Sequence, residues 1–178
     1  FSDAMLLKLS FIEEGIGNYE KALIYLSKHY YQTHNKETST KIKSIAKKNE
    51  LIGFEQNDLS LILNAYNKNI YLIHSILVVI LVLYLIIGEK KDTSYHIRFM
   101  IISVLVLAIM NFNLTKKQGI VDQDNTYIMN GPSSGSDVYS IIKKGNKLKI
   151  SKEYSIWYEV IFENKKKYIR KKNISLID

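Results

Sequence analysis

The sequence contains no cysteine, and that excludes disulfides, thiol nucleophiles and zinc sites ligated by Cys. Proline occurs once in 178 residues, so neither a proline-rich linker nor a polyproline segment can be present. There are only four histidines. His29 and His34 stand five apart, which is not a helix-face pair, and no carboxylate lies at ligand spacing from them. Glu13 and Glu14 are adjacent, which on a helix turns them apart. A Gly-rich phosphate loop and a Ser-His-Asp order are also missing. The reading is therefore of a non-enzyme, with no catalytic residue, cofactor or metal. No basic-then-apolar leader opens the chain, so no signal peptide is read.

What the chain does hold is unevenly spread. The net charge is +8, and the sequence pI of about 9.4 favours acidic partners or an anionic surface. The apolar residues are bunched. From Ile70 to Ile87 no residue is charged, and fourteen of those positions are Leu, Ile or Val. Such a run reaches about 27 Å as a helix, close to the thickness of a bilayer's hydrocarbon. A shorter run, Phe99 to Leu114, follows after "GEKKDTSYHIR". The expectation is a two-helix transmembrane hairpin within 59–114, with spans at about 70–87 and 99–114 and a loop at 88–98. Lys90, Lys91 and Arg98 make that loop net positive, which votes for a cytoplasmic loop in the inner membrane, with both arms periplasmic and the lipid bilayer as a partner.

Residues 1–58 read as helical. Apolar residues recur at Met5, Leu6, Leu9 and Ile12, then at Tyr19, Ala22, Leu23 and Leu26 after the turn signal Gly17-Asn18. This segment resembles a tetratricopeptide repeat: Leu6, Leu9, Ser10, Gly17, Tyr19, Ala22 and Leu26 fall at matching offsets. Glu13 and His34 stand where that family prefers an aromatic and a proline. The resemblance covers about one repeat and implies packing roles for those seven residues. A further helix is expected over 37–49, and Asp58 as the N-cap of a helix beginning at Leu59.

Beyond residue 115 the period changes to two. Short β-type runs at 119–122, 127–129, 138–141, 147–150, 156–163, 166–170 and 175–177 are split by "NGPSSGS", "KKGNK" and "ENKK". They predict a small barrel over 115–178. Gly131, Pro132, Ser133, Gly145, Trp157, Val160, Tyr168 and Ile169 resemble the bacterial SH3 domain, although Asn164 and Lys165 replace the glycine usual at its last hairpin. Trp157 reads as core or as a ligand platform. Tyr158, Lys165, Lys166, Lys167, Arg170, Lys171 and Lys172 complete the candidate interaction residues.

The expected fold class is thus a multi-domain membrane protein with a TPR-like helical segment, a transmembrane hairpin and an all-β SH3-like barrel. That layout resembles the BatE-type proteins of the bacterial aerotolerance operon and related Bacteroidota proteins. The resemblance implies a membrane-anchored scaffold whose partners are proteins of an envelope complex. The alternative is an anchor that binds peptidoglycan through the basic barrel. Nucleic acid is disfavoured as a partner, because the arms are expected to be periplasmic.

Overall fold

The computed structural model describes residues 1–55, 66, 69–88, 93–111 and 117–177. The chain forms two compact units, one made of Phe1–Gln56 and Lys116–Asp178 and a second made of Asn57–Thr115.

Three helices open the first unit: α1 (Asp3–Gly15), α2 (Tyr19–Thr33) and α3 (Lys36–Lys48). Their boundaries follow from side-chain chemistry. Ser2 accepts a hydrogen bond from the Met5 amide to cap α1, and Asn35 Oδ1 accepts from the amides of Glu37 and Thr38 at 2.7 and 3.1 Å to cap α3. Gly17 turns the chain between α1 and α2 at φ 82°, a conformation that costs glycine little. Lys47 and Lys48 sit in the last turn of α3, where cations suit the helix dipole.

Of the residues matched to a helical repeat, Leu6, Ser10, Ala22 and Leu26 are buried, Leu9 and Tyr19 are partly buried, and Gly17 is exposed in the turn. Ser10 satisfies its hydroxyl on the Leu7 carbonyl at 2.7 Å. Leu26 and Tyr19 belong to the core that α2 shares with α3 and the sheet.

Seven strands make one antiparallel sheet: β1 (Gln118–Val121), β2 (Thr126–Met129), β3 (Val138–Ile142), β4 (Lys147–Glu153), β5 (Trp157–Phe162), β6 (Lys165–Arg170) and β7 (Ile174–Leu176). Their order is β3-β2-β6-β5-β4-β1-β7. One core, formed by Val121, Ile128, Ile142, Leu148, Ile150, Tyr158, Val160, Phe162, Ile169 and Ile174, lies inside the sheet. A second core joins the helices to the sheet. It gathers Leu23, Ile24 and Leu26 of α2, Ile42, Ile45 and Ala46 of α3, and Phe54, with Ile120 of β1 and Ile177. The two arms are therefore parts of one compact unit rather than separate domains.

Segment 51–55 forms the seam between them. The Ile52 amide donates to Asn146 Oδ1 at 2.8 Å, and the Lys147 amide donates to the Ile52 carbonyl at 3.1 Å. Gly53 (φ 88°) lies so close to β4 that an added Cβ would stand 2.0 Å from the Lys147 carbonyl oxygen.

The second unit contains α4 (Ile70–Gly88) and α5 (Thr93–Asn111). Tyr84 stacks on Tyr95 at 4.5 Å between ring centroids and on Phe99 at 5.7 Å, and Tyr95 donates its hydroxyl to the Tyr84 carbonyl. The transmembrane expectation requires correction here: among the described residues, no helix is long and apolar enough to cross a membrane. The membrane fold class and the inner-membrane location, with periplasmic arms and a cytoplasmic loop, fall with that finding. The expected loop 88–98 is also revised, since Thr93 to Arg98 belong to α5. Leu72, Val79, Ile80, Leu83, Met100, Ile101 and Val104 are each more than half exposed. Asp58, the helix expected from Leu59, Lys90, Lys91, Asn113 and Leu114 lie outside the described residues.

Candidate functional site

The β5–β6 hairpin sorts its side chains by alternation. Tyr158, Val160 and Phe162 join the core with Ile169, so Trp157, Glu159 and Ile161 lie on the other face of the sheet. Register places Arg170 opposite Trp157, Tyr168 opposite Glu159 and Lys166 opposite Ile161. An aromatic and charged strip therefore runs along the outer face of this hairpin.

Trp157 is buried, 5% exposed, though it is not part of the apolar cluster inside the sheet. The Arg170 guanidinium lies over its ring, 5.3 Å from the centroid, and also donates to Ser134 Oγ in the 130–137 loop. The indole is a buried side chain with a cation over it, not an open platform.

Glu159 anchors the middle of the strip. Its Oε1 accepts from Ser151 Oγ at 2.6 Å and lies 3.4 Å from Lys166 Nζ. Its Oε2 accepts from the hydroxyls of Tyr154 at 3.2 Å and Tyr168 at 3.3 Å. Donation from Ser151 holds the carboxyl below the usual range against desolvation, and Lys166 and Tyr154 add to the effect. Burial raises the Tyr168 phenol, helped by Tyr154 and Glu159. The carboxylate is a fixed anion with its lone pairs engaged, which organises the tyrosines and Lys166 around it.

The basic run divides by role. Lys165, Lys166 and Lys172 are exposed. Lys167 is buried, with its ammonium 3.6 Å from the Tyr139 ring centroid and donating to Asn130 Oδ1 at 2.6 Å. Lys171 pairs with Glu153 and lies 5.2 Å from the Tyr158 ring centroid. Tyr158 itself belongs to the core. Of the eight candidate interaction residues, the outer strip thus collects Trp157, Lys166 and Arg170. Lys167, Lys171 and Tyr158 are engaged within the fold.

Glu159, Tyr154 and Ser151 were not singled out from the sequence. The alternation of "WYEVIF" offered the signal for Glu159, because a carboxylate two residues after Trp157 must share its face. Two histidines are held by neighbours in the helices: His29 Nδ1 meets Thr38 Oγ1 at 3.0 Å, and His34 Nδ1 meets the Tyr30 carbonyl at 3.1 Å. Among the described residues no cluster of three metal-ligating side chains occurs. No family model matches the chain, and no curated protein matches it either. What stands is an N-terminal helical region joined to a C-terminal antiparallel β-sheet domain.

Proposed function

We propose that this chain is a non-enzymatic adaptor that holds protein partners through its outer β5–β6 strip and its helical segment. The observation that carries the reading is the Trp157–Arg170–Glu159–Tyr168 strip. It is aromatic and charged, stands on the hairpin face away from the apolar cluster inside the sheet, and is held in one geometry by internal hydrogen bonds. The resemblances to a tetratricopeptide repeat and to the bacterial SH3 domain support it, since both modules serve recognition, and the proposed partners are proteins of an envelope complex. Exposed Lys165, Lys166 and Lys172 bias the partner towards acidic surfaces.

The test compares the full chain with Lys166→Ala/Arg170→Ala in cross-linked capture from envelope fractions, beside cosedimentation with purified peptidoglycan. The adaptor reading expects a defined protein, captured at least tenfold less by the double variant, and no saturable sedimentation with wall polymer. Saturable sedimentation that the double variant loses would replace the adaptor with the wall-binding reading.

A further inference from the structure

We infer that the free edge of β3 is a docking edge for an extended acidic peptide, which would add an eighth strand to the sheet. The inference rests on the adaptor reading and specifies its partner.

β3 closes one end of the sheet order and, among the described residues, pairs only with β2. On its other side, no main-chain hydrogen bond reaches residues 138–142 among the described residues. In an antiparallel pair, alternate residues point their N–H and C=O groups away from the partner strand, so a strand at an edge offers a ready ladder. Only main chain in extended form satisfies such a ladder, and that fixes the occupant as a strand rather than a helix.

The side chains along this edge favour occupancy. Tyr127 and Ile141 stand directly opposite each other on β2 and β3 and are 54% and 58% exposed, and Val138 is 50% exposed. A neighbouring strand would cover this apolar strip with alternate side chains. No lysine lies within β3 itself to guard the edge, and the register shift against β2 at Ile128/Met129 falls towards the Val138 end of the strand.

Charge sets the chemistry of the occupant. Exposed Lys143 follows β3 at one end, and Lys165 lies 5.8 Å from the Tyr139 ring centroid near the other. Two acids are also present: Asp137 precedes the strand, and Glu163 accepts the Tyr139 hydroxyl at 2.7 Å. Glu163 is thereby engaged. Residues 117–177 carry a net charge of +6, twelve Lys/Arg against six Asp/Glu. Tyr139 and Lys143 are four residues apart, about 13 Å along a strand. The complementary peptide therefore has apolar or β-branched residues between two acids spaced four apart.

The probe is a fluorescein-labelled peptide, Thr-Glu-Val-Thr-Val-Glu-Thr, titrated against the full chain by anisotropy, with amide exchange of residues 138–142 followed alongside. Saturable binding and slowed exchange on β3 are expected. Of two versions N-methylated at alternating amides, one should bind at least tenfold more weakly. Lys in place of both Glu residues should weaken binding at least threefold. Ile141→Glu, and separately Val138→Glu, should each weaken it at least tenfold with unchanged circular dichroism. Equal binding of both N-methylated peptides overturns the inference. So does concentration-dependent dimerisation that Ile141→Glu abolishes, which would make a second copy the occupant. Loss of peptide binding with capture still dependent on Lys166 and Arg170 would remove the edge and leave the adaptor.

Discussion

Replacing Lys147 with methionine should stabilise the protein, by an amount that depends on pH. The Lys147 side chain leaves β4 beside Ile120, on the helix-facing side of the sheet, and its ammonium lies 5.7 Å from the Phe54 ring centroid. Desolvation lowers its pKa from 10.5 to about 8, and the charge of Lys149 adds to the shift. The folded state therefore disfavours the ammonium form. The resulting stability is fully present above the unfolded value of 10.5 and is lost as pH falls through about 8. A shift of this size corresponds to an upper figure of about 3 kcal/mol, which water at the partly exposed group reduces to about 2 kcal/mol. Lys147→Met keeps the aliphatic stem and removes the charge. In urea unfolding at pH 7, the variant should exceed the parent by about 2 kcal/mol, and the difference should fall below about 1 kcal/mol by pH 10. Other lysines and tyrosines titrate alike in both proteins and cancel from the difference. A difference that stays constant from pH 7 to 10, or a less stable variant at pH 7, would refute the assignment of a desolvated amine at this seam.

Other sites give sharper structural tests. Gly53→Ala should cost several kcal/mol, on the order of the penalties for a positive φ combined with a backbone clash, read as a fall in the urea midpoint. Ala22→Leu should destabilise by about 1–3 kcal/mol through overpacking at this fully buried position of α2, lowering the melting temperature. Glu159→Gln should lose on the order of 1 kcal/mol at pH 7. Because the Glu159 carboxyl titrates below its ordinary value, its contribution is present at neutral pH and vanishes as pH falls through the folded pKa. The parent and the Gln variant should therefore converge in stability in acid, once the carboxyl is protonated in the folded state.

The sheet was legible in the sequence because its signals are local. The turn segments "NGPSSGS", "KKGNK" and "ENKK" separate strands that the structure places within a few residues of the expected bounds. The α1–α2 turn was legible for the same reason, since Gly17, at φ 82°, stands between the two apolar stripes. The joining of the two arms was not. Ile120 and Ile177 read as strand residues with one face to spare, and nothing local says that α2, α3 and Phe54 cover them. The apolar runs suggested two membrane spans, yet among the described residues no helix is long and apolar enough to cross a membrane. Thr93 to Arg98, polar enough to suggest a loop, became the first turns of α5. At the candidate site, alternation fixed which strand residues share the outer face. It could not show that Arg170 caps Trp157, a contact between directly opposed residues that depends on register.

The helix–sheet core has a consequence for biosynthesis. Phe54 and the apolar faces of α2 and α3 leave the ribosome well before Ile120 and Ile177, which complete their burial. At 5–20 residues per second, the wait from residue 54 to residue 177 is roughly 6–25 s. During that interval the nascent helices carry an uncovered greasy surface, and the period of greatest aggregation hazard falls while the intervening segment is being translated. A protease cut within 57–115 of the finished protein would leave two fragments still gripping each other through that shared core.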